Sequence, residues 1–194
     1  DDAISGLEIR NAGAYAFERS TIMEIPPGKP YSLERGLFPK LLSQRRALFS
    51  HLHEGYWIDF GTVEKYLQIH LDVLGGAAPF APMGKTRKGA FRLELGARLA
   101  PGVRHKGPGA VLVGRSTTVG AETLFTGSVS IGPNCSVGTG SALEDCVVLD
   151  GVRIGAGSRL KRCIVGAGSR LGVGTTLSGG ALGGGSRIKD FSQL

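Results

Sequence analysis

From residue 113 onward the chain repeats itself in steps of six. The units run VGRSTT, VGAETL, FTGSVS, IGPNCS, VGTGSA and LEDCVV; then, after a five-residue LDGVR, come IGAGSR, LKRCI, VGAGSR, LGVGTT and LSGGA. An aliphatic residue or Phe opens each unit, and a small or aliphatic residue recurs four positions later. No other feature limits the fold so tightly. Each unit is long enough for a short strand and a corner, and three units close a triangular coil of about eighteen residues. Successive coils then stack at the interstrand distance of any sheet, about 4.8 Å. One coil cannot bury its own interior, so a column of coils is required. Val113, Ile131 and Leu149 are expected to open successive coils at one corner. Val119, Val137, Ile154 and Leu171 form a second column, and Phe125, Leu143, Leu160 and Leu177 a third. The glycine that follows the opening aliphatic is expected to permit the sharp corner.

This pattern resembles the hexapeptide repeat of left-handed parallel β-helices, and the handedness comes from that resemblance. The register makes a further statement about two of the three cysteines. Cys146 and Cys163 are each the fourth residue of a unit opened by Leu143 and by Leu160, so one lies above the other in successive coils. Their Cα atoms are then about 4.8 Å apart. Parallel in-register neighbours point their Cα–Cβ bonds the same way, which makes the disulfide torsion hard to reach, and free thiols are expected. The repeat also disposes of a decoy. SGGALGGGSRI at 178–188 looks like a phosphate-binding loop, but it keeps the repeat register through Leu177, Leu182 and Ile188, with no helical pattern after it.

Before residue 75 the chain follows different rules. LEIRNAGAYAFE (7–18) reads as a strand, SLERGLFPKLLSQ (32–44) as mostly helix, and RALFSHLH (46–53) as a second strand. GYWIDFG (55–61) alternates, with Tyr56, Ile58 and Phe60 on one face and Trp57 and Asp59 on the other. Val63, Tyr66, Leu67, Leu71 and Leu74 then recur at helical spacing, with Thr62 as N-cap and Gly75 as C-terminal stop. Asp59 therefore falls where a strand gives way to a helix. It either caps that helix, pairs with a nearby Lys or Arg, or serves a ligand at the carboxyl edge of a sheet. GGAAPFAPMGKTRKG is a Gly/Pro-rich linker. The organisation expected is an incomplete α/β domain at 1–76, a linker at 77–94 and an all-β parallel β-helix at 95–194.

Composition narrows the function classes. The net charge is +7, but the basic residues are spread along the chain without interleaved aromatics, so nucleic-acid binding is not expected. No apolar run is long enough to span a bilayer, and no membrane role is expected. Neither a signal peptide nor metal-ligand cysteine spacing is present, and the three cysteines fit a reducing, cytoplasmic setting.

Three blocks in the first half carry a resemblance. NAGAY (11–15), SLERGLFPKL (32–41) and EGYWIDFGTVEKYLQ (54–68), followed by a β-helix, resemble the C-terminal portion of nucleoside-diphosphate-sugar pyrophosphorylases, closest to the mannose-1-phosphate guanylyltransferase type. The resemblance implies nucleotidyl transfer from a nucleoside triphosphate to a sugar 1-phosphate, with release of pyrophosphate and with Mg²⁺ offsetting phosphate charge. It implies Asp59 as a metal carboxylate and Asn11 as the amide that meets sugar hydroxyls. It implies Gly13 as a place where backbone approaches the ligand, and Glu34 as a further sugar-side group. Glu34 reads equally well as a first-turn helix acid. The family's Gly-Gly-x-Gly-Thr-Arg loop, an earlier metal-binding Asp and a Glu-Lys-Pro lysine do not precede NAGAY in these residues. The 194 residues alone are therefore expected to be inactive, and the β-helix is expected to mediate self-association. Two rivals stand beside this reading. One is a non-catalytic regulatory or scaffolding subunit. The other is an acyltransferase, which needs a histidine base between coils; the complete units hold none, and His105 lies in the ragged first turns.

Overall fold

The computed structural model describes residues 11–80 and 86–194, which fall into two compact units, 1–55 and 56–194. The second is dominated by a parallel β-helix. Among the described residues its strands form three sheets of seven, six and five strands, and every neighbouring pair is parallel except an antiparallel Thr86–Lys88 that closes one edge. The coils begin at Phe91–Leu93, inside the segment read as a linker.

Three inward columns fill the axis. On the first face, Leu93, Val113, Ile131, Val148, Val165 and Leu182 are in register, spaced 20, 18, 17, 17 and 17 residues apart. On the second, Leu99, Val119, Val137, Ile154, Leu171 and Ile188 line up. On the third, His105, Phe125, Leu143, Leu160 and Leu177 do. Phe125, Val113 and Val165 are wholly buried. Burying each such side chain is worth about 1.5–3 kcal/mol, and because every one packs against the coils above and below, that gain exists only for the stack.

The second and third columns are those expected. In the first, the expected Leu149 is replaced by Val148. The short unit is LEDCV rather than LDGVR, so the five-residue step always falls at the corner leading from the third face to the first, as it does again in LKRCI and LSGGA. Val147, Val148 and Leu149 are all aliphatic, so alternation could not say which of them faces inward. The reason for the run is a helix packed outside. Val147 and Ile164 point away from the axis, yet both are buried, because Leu67 of the 63–75 helix covers them with Tyr66, Leu71 and Leu149 around it.

The corners correct a second expectation. The glycine that follows the opening aliphatic keeps an ordinary negative φ. At Gly155 an added Cβ would overlap the backbone of Gly172 in the next coil, and at Gly138 that of Ala156. This glycine makes room. The residue two places on makes the turn: Gly157, at φ +67°, has open space where a Cβ would go. At the matching corner of other coils, Glu122 (φ 56°) and Phe191 (φ 57°) adopt the same backbone with a side chain attached. Corners are also pinned from inside. Buried Ser158 donates to the Gly155 carbonyl at 2.8 Å and lies 3.2 Å from that of Gly172, and Ser141 makes the same pair of contacts one coil earlier. Hydroxyls so placed cost nothing in unsatisfied polarity.

Cys146 and Cys163 are stacked, buried and unbonded, with sulfurs 3.7 Å apart. Residues 178–188, the phosphate-loop decoy, form the strands Ala181–Leu182 and Arg187–Ile188 of the last full coil.

In the other unit, α1 (Arg19–Ile22) is a single turn, and a π-type turn at Leu33–Leu37 runs into α2 (Phe38–Ser43), in agreement with the helix expected at 32–44. The expected strands do not form. Residues 11–18 and 46–61 make no ladder, and residues 7–10 lie outside the described residues. Alternating sequence specifies a strand only where a neighbouring strand accepts its hydrogen bonds, and none is present among the described residues. The helix after GYWIDFG does form, as α3 (Val63–Gly75): Thr62 caps it by accepting from the Lys65 N–H, and Gly76 ends it at φ +83°. None of these helices is long and apolar enough to cross a membrane.

The two glycines of a corner should be separable by stability. Gly157→Ala is expected to cost about 1 kcal/mol, the price of a left-handed backbone. Gly155→Ala is expected to cost about 3 kcal/mol or more, since the neighbouring coil must move. Denaturant unfolding of both variants checks the order.

Candidate functional site

The first-unit residues picked out by sequence meet around one hydroxyl. Asn11 Nδ2 donates to the Tyr15 hydroxyl at 2.6 Å, and that hydroxyl donates to Glu34 Oε1 at 2.7 Å. Asn11 Oδ1 accepts from the Gly13 N–H at 2.9 Å, an Asx-type turn that leaves Gly13 at φ +70° with nothing near it. The Ser32 hydroxyl donates to the other Glu34 oxygen at 3.2 Å while accepting from the Arg35 N–H, so the start of the 33–37 turn holds the carboxylate in place. The Tyr15 ring stands edge-on to Phe38, with centroids 5.2 Å apart, and Phe17 stacks on Phe38 at 6.1 Å. Two segments nineteen residues apart are thus joined by one phenol and one aromatic cluster.

The chemistry of this set is polar and open to solvent. The Tyr15 hydrogen bond, with help from backbone N–H and Ser32, holds Glu34 below the usual carboxylate range, and the same bond raises the Tyr15 phenol. Asn11 keeps one N–H and one oxygen lone pair in reserve, and Glu34 keeps several lone pairs. Together they offer a donor and acceptors to the hydroxyls of a polyol. Glu34 does lie in the first turn, as its structural reading required. It does so while also joining Tyr15, so the two roles coincide. Tyr15 lies within the NAGAY block, four residues from Asn11, and nothing else in the sequence marks its part in the set.

Asp59 belongs to the second unit. Neither local explanation of it holds among the described residues: Thr62 caps the helix, and Asp59 makes no ion pair or hydrogen bond. Asp59 and Trp57 are exposed and Tyr56 and Ile58 half-buried, as the alternation expected, but Phe60, expected on the same face as Tyr56 and Ile58, is exposed as well. Tyr56 fixes the segment to α3 by donating to Asp72 Oδ2 at 2.8 Å, with Gln68 Nε2 on the other oxygen at 2.6 Å. Desolvation, with the Asp72 carboxylate second, pushes the Tyr56 phenol up to about 12. No group of three metal-ligating side chains occurs among the described residues.

Of the four histidines only His105 lies within the coils. His105 faces the axis at the head of the third column, with Nε2 2.8 Å from the Gly127 carbonyl. His70 is half-buried beside Tyr66, and desolvation holds it below the ordinary imidazole value.

Comparison with known proteins agrees with the coil stack. Residues 108–191 match the family model described as the GMPPB C-terminal domain. A mannose-1-phosphate guanylyltransferase of Mycobacterium tuberculosis is 34% identical over 145 residues, covering 74% of this chain and 34% of the relative. Mannose-1-phosphate guanylyltransferase 1 of Arabidopsis thaliana is 30% identical over 147 residues, 74% of this chain and 35% of the relative. A UTP–glucose-1-phosphate uridylyltransferase of Synechocystis is 30% identical over 146 residues, 74% and 37%. The chain thus spans about a third of the length of these relatives. In sequence the chain is similar to mannose-1-phosphate guanylyltransferases and related sugar-phosphate nucleotidyltransferases, and its coils match the GMPPB C-terminal domain.

Proposed function

We propose that these residues supply the sugar side of a nucleotidyl-transfer site, in which GTP and mannose 1-phosphate give GDP-mannose and pyrophosphate. The observation that supports it most is the Asn11–Tyr15–Glu34 set. It unites two of the family's sequence blocks in one exposed polar surface. Asn11 and Glu34 bind sugar hydroxyls, and Gly13 leaves the backbone bare where the sugar approaches. Tyr15 orients both side chains and keeps Glu34 ionised and accepting. Asp59 would hold Mg²⁺, which when bound would offset the charge of the phosphate groups. The triphosphate cradle comes from polypeptide outside these 194 residues, and the coils mediate self-association in a cytoplasmic enzyme. A non-catalytic scaffolding subunit would use the same coils but would have no use for the sugar-side set. That difference separates the two readings.

Two measurements test the site. In Tyr15→Phe, Glu34 loses the bond that lowers its pKa. Its titration, followed by carboxyl-carbon NMR, is expected to move up toward the ordinary carboxylate value. The folded pKa is depressed, so the contribution is present above the unfolded pKa and lost as pH falls through the folded one; the variant loses it at a higher pH.

Asp59→Asn in the complete enzyme is expected to leave the fold unchanged and to lower turnover about a hundredfold, a loss of about 2.7 kcal/mol of electrostatic stabilisation. Pyrophosphate release, assayed across Mg²⁺ concentrations, checks it. Near-normal turnover at limiting Mg²⁺ would remove Asp59 from the metal site, and wild-type sugar affinity in Asn11→Ala would favour the scaffolding subunit.

A further inference from the structure

The second face of the coil stack carries charge that the stack does not use. Its outward positions alternate with the inward Ile154, Leu171 and Ile188, and in the last three coils they are Arg153, Arg170 and Arg187, directly in register. Three guanidinium groups therefore stand in a straight row, one per coil, about 4.8 Å apart at the backbone. All three are exposed, and none makes an ion pair or side-chain hydrogen bond among the described residues. Like charges directly opposite each other in a ladder are destabilising. Nearby acids do not relieve them. Residues 151–194 contain seven Lys or Arg and one acid, Asp190, whose Oδ1 accepts from the Val173 N–H. The first face is covered by α3, whereas within this unit the row stands exposed.

The chemistry of the occupant follows from the row. Guanidinium forks pair with carboxylates or phosphates, often bidentately. The surface is a flat sheet face rather than a cavity, which suits a macromolecular partner better than a small anion. Spacing then selects among partners. Two rungs span about 9.6 Å. Residues i, i+4 and i+7 of an α-helix share one face and span about 10.5 Å along the axis. Three same-face residues of an extended strand span about 13.6 Å, which overshoots the row. The phosphates of a duplex wind about its axis and leave a straight row quickly.

We propose that Arg153, Arg170 and Arg187 form a docking rail for an acidic helix of a partner protein, with one carboxylate at each of i, i+4 and i+7 facing one rung. This surface belongs to the coil stack and does not depend on the nucleotidyl-transfer reading.

The test uses the 194-residue chain and fluorescence anisotropy with three probes. One is an alanine-based helical peptide with Glu at i, i+4 and i+7. The second has the same composition with its three Glu spread around the helix. The third is a 16-base-pair DNA duplex. The aligned peptide is expected to bind at least tenfold more tightly than the spread one, with affinity falling as salt rises. Arg153→Gln/Arg170→Gln/Arg187→Gln is expected to abolish that preference, Arg170→Gln to reduce it, and Arg159→Gln, on the third face, to leave it intact. Equal binding of the two peptides overturns the proposal, as does a preference that survives the triple change. Tighter, rail-dependent binding of the duplex also overturns it, in favour of nucleic acid. The triple variant is expected to melt no lower than wild type, because a repulsion has been removed. A lower melting point in both it and Arg170→Gln would show that the arginines serve the fold, and would overturn the rail.

Discussion

The distance between one coil and the next governs the rest of the molecule. Parallel strands in hydrogen-bonding contact leave about 4.8 Å between backbones, and at the corners that gap closes until a single methyl group no longer fits. Gly138 and Gly155 mark those points. The same closeness lets the Ser141 and Ser158 hydroxyls reach carbonyls of two coils at once. It also presses Phe125, Leu143 and Leu160 into one continuous column with no room for water between them. Composition follows from this geometry: glycine where backbones nearly touch, small hydroxyls beside it, branched aliphatics on the axis.

A stack of this kind offers three flat exteriors, and the sequence treats them differently. Where α3 lies, the outward residues Val147 and Ile164 are apolar. Where nothing described covers the sheet, they are arginine, serine or threonine. The helix sits outside the repeat, yet its apolar stripe of Leu67, Tyr66 and Leu71 determines what the repeat can place on one of its faces. In turn the Tyr56–Asp72 hydrogen bond carries the order of that helix into the segment bearing Asp59.

What was legible in the sequence was what repeats. Two of three axial columns, the stacked thiols, α3 with its Thr62 cap, and the strand nature of 178–188 all follow from periods of six or 3.6 residues. The first column slipped by one residue because Val147, Val148 and Leu149 satisfy the inward position equally well, and only the helix outside distinguishes them. The corner glycines were identified, but their two jobs were merged, since a letter in a sequence does not reveal whether it supplies room or a positive φ. The expected strands of the first unit failed for a different reason. A strand is a relation between two segments, and alternation describes only one of them. Asn11, Gly13 and Glu34 were found through matching blocks. Tyr15, which joins Asn11 to Glu34, became visible only when the segments were brought together in space.

In the last part of the stack the coils have become interchangeable. From Ile154 to Leu171 and from Leu171 to Ile188 the chain advances by 17 residues and returns to the same point of the triangle. The polypeptide there grows in whole turns. Removing residues 155–171 would join Ile154 to Gly172 and recreate the Ile154–Gly155 junction with a glycine at the crowded corner. Loss or duplication of one such segment changes the height of the column by one strand spacing and leaves every remaining side chain on its original face. A sequence change that would be ruinous in most folds is here a change of length, and the solenoid can be lengthened or trimmed like a stack of washers on a rod.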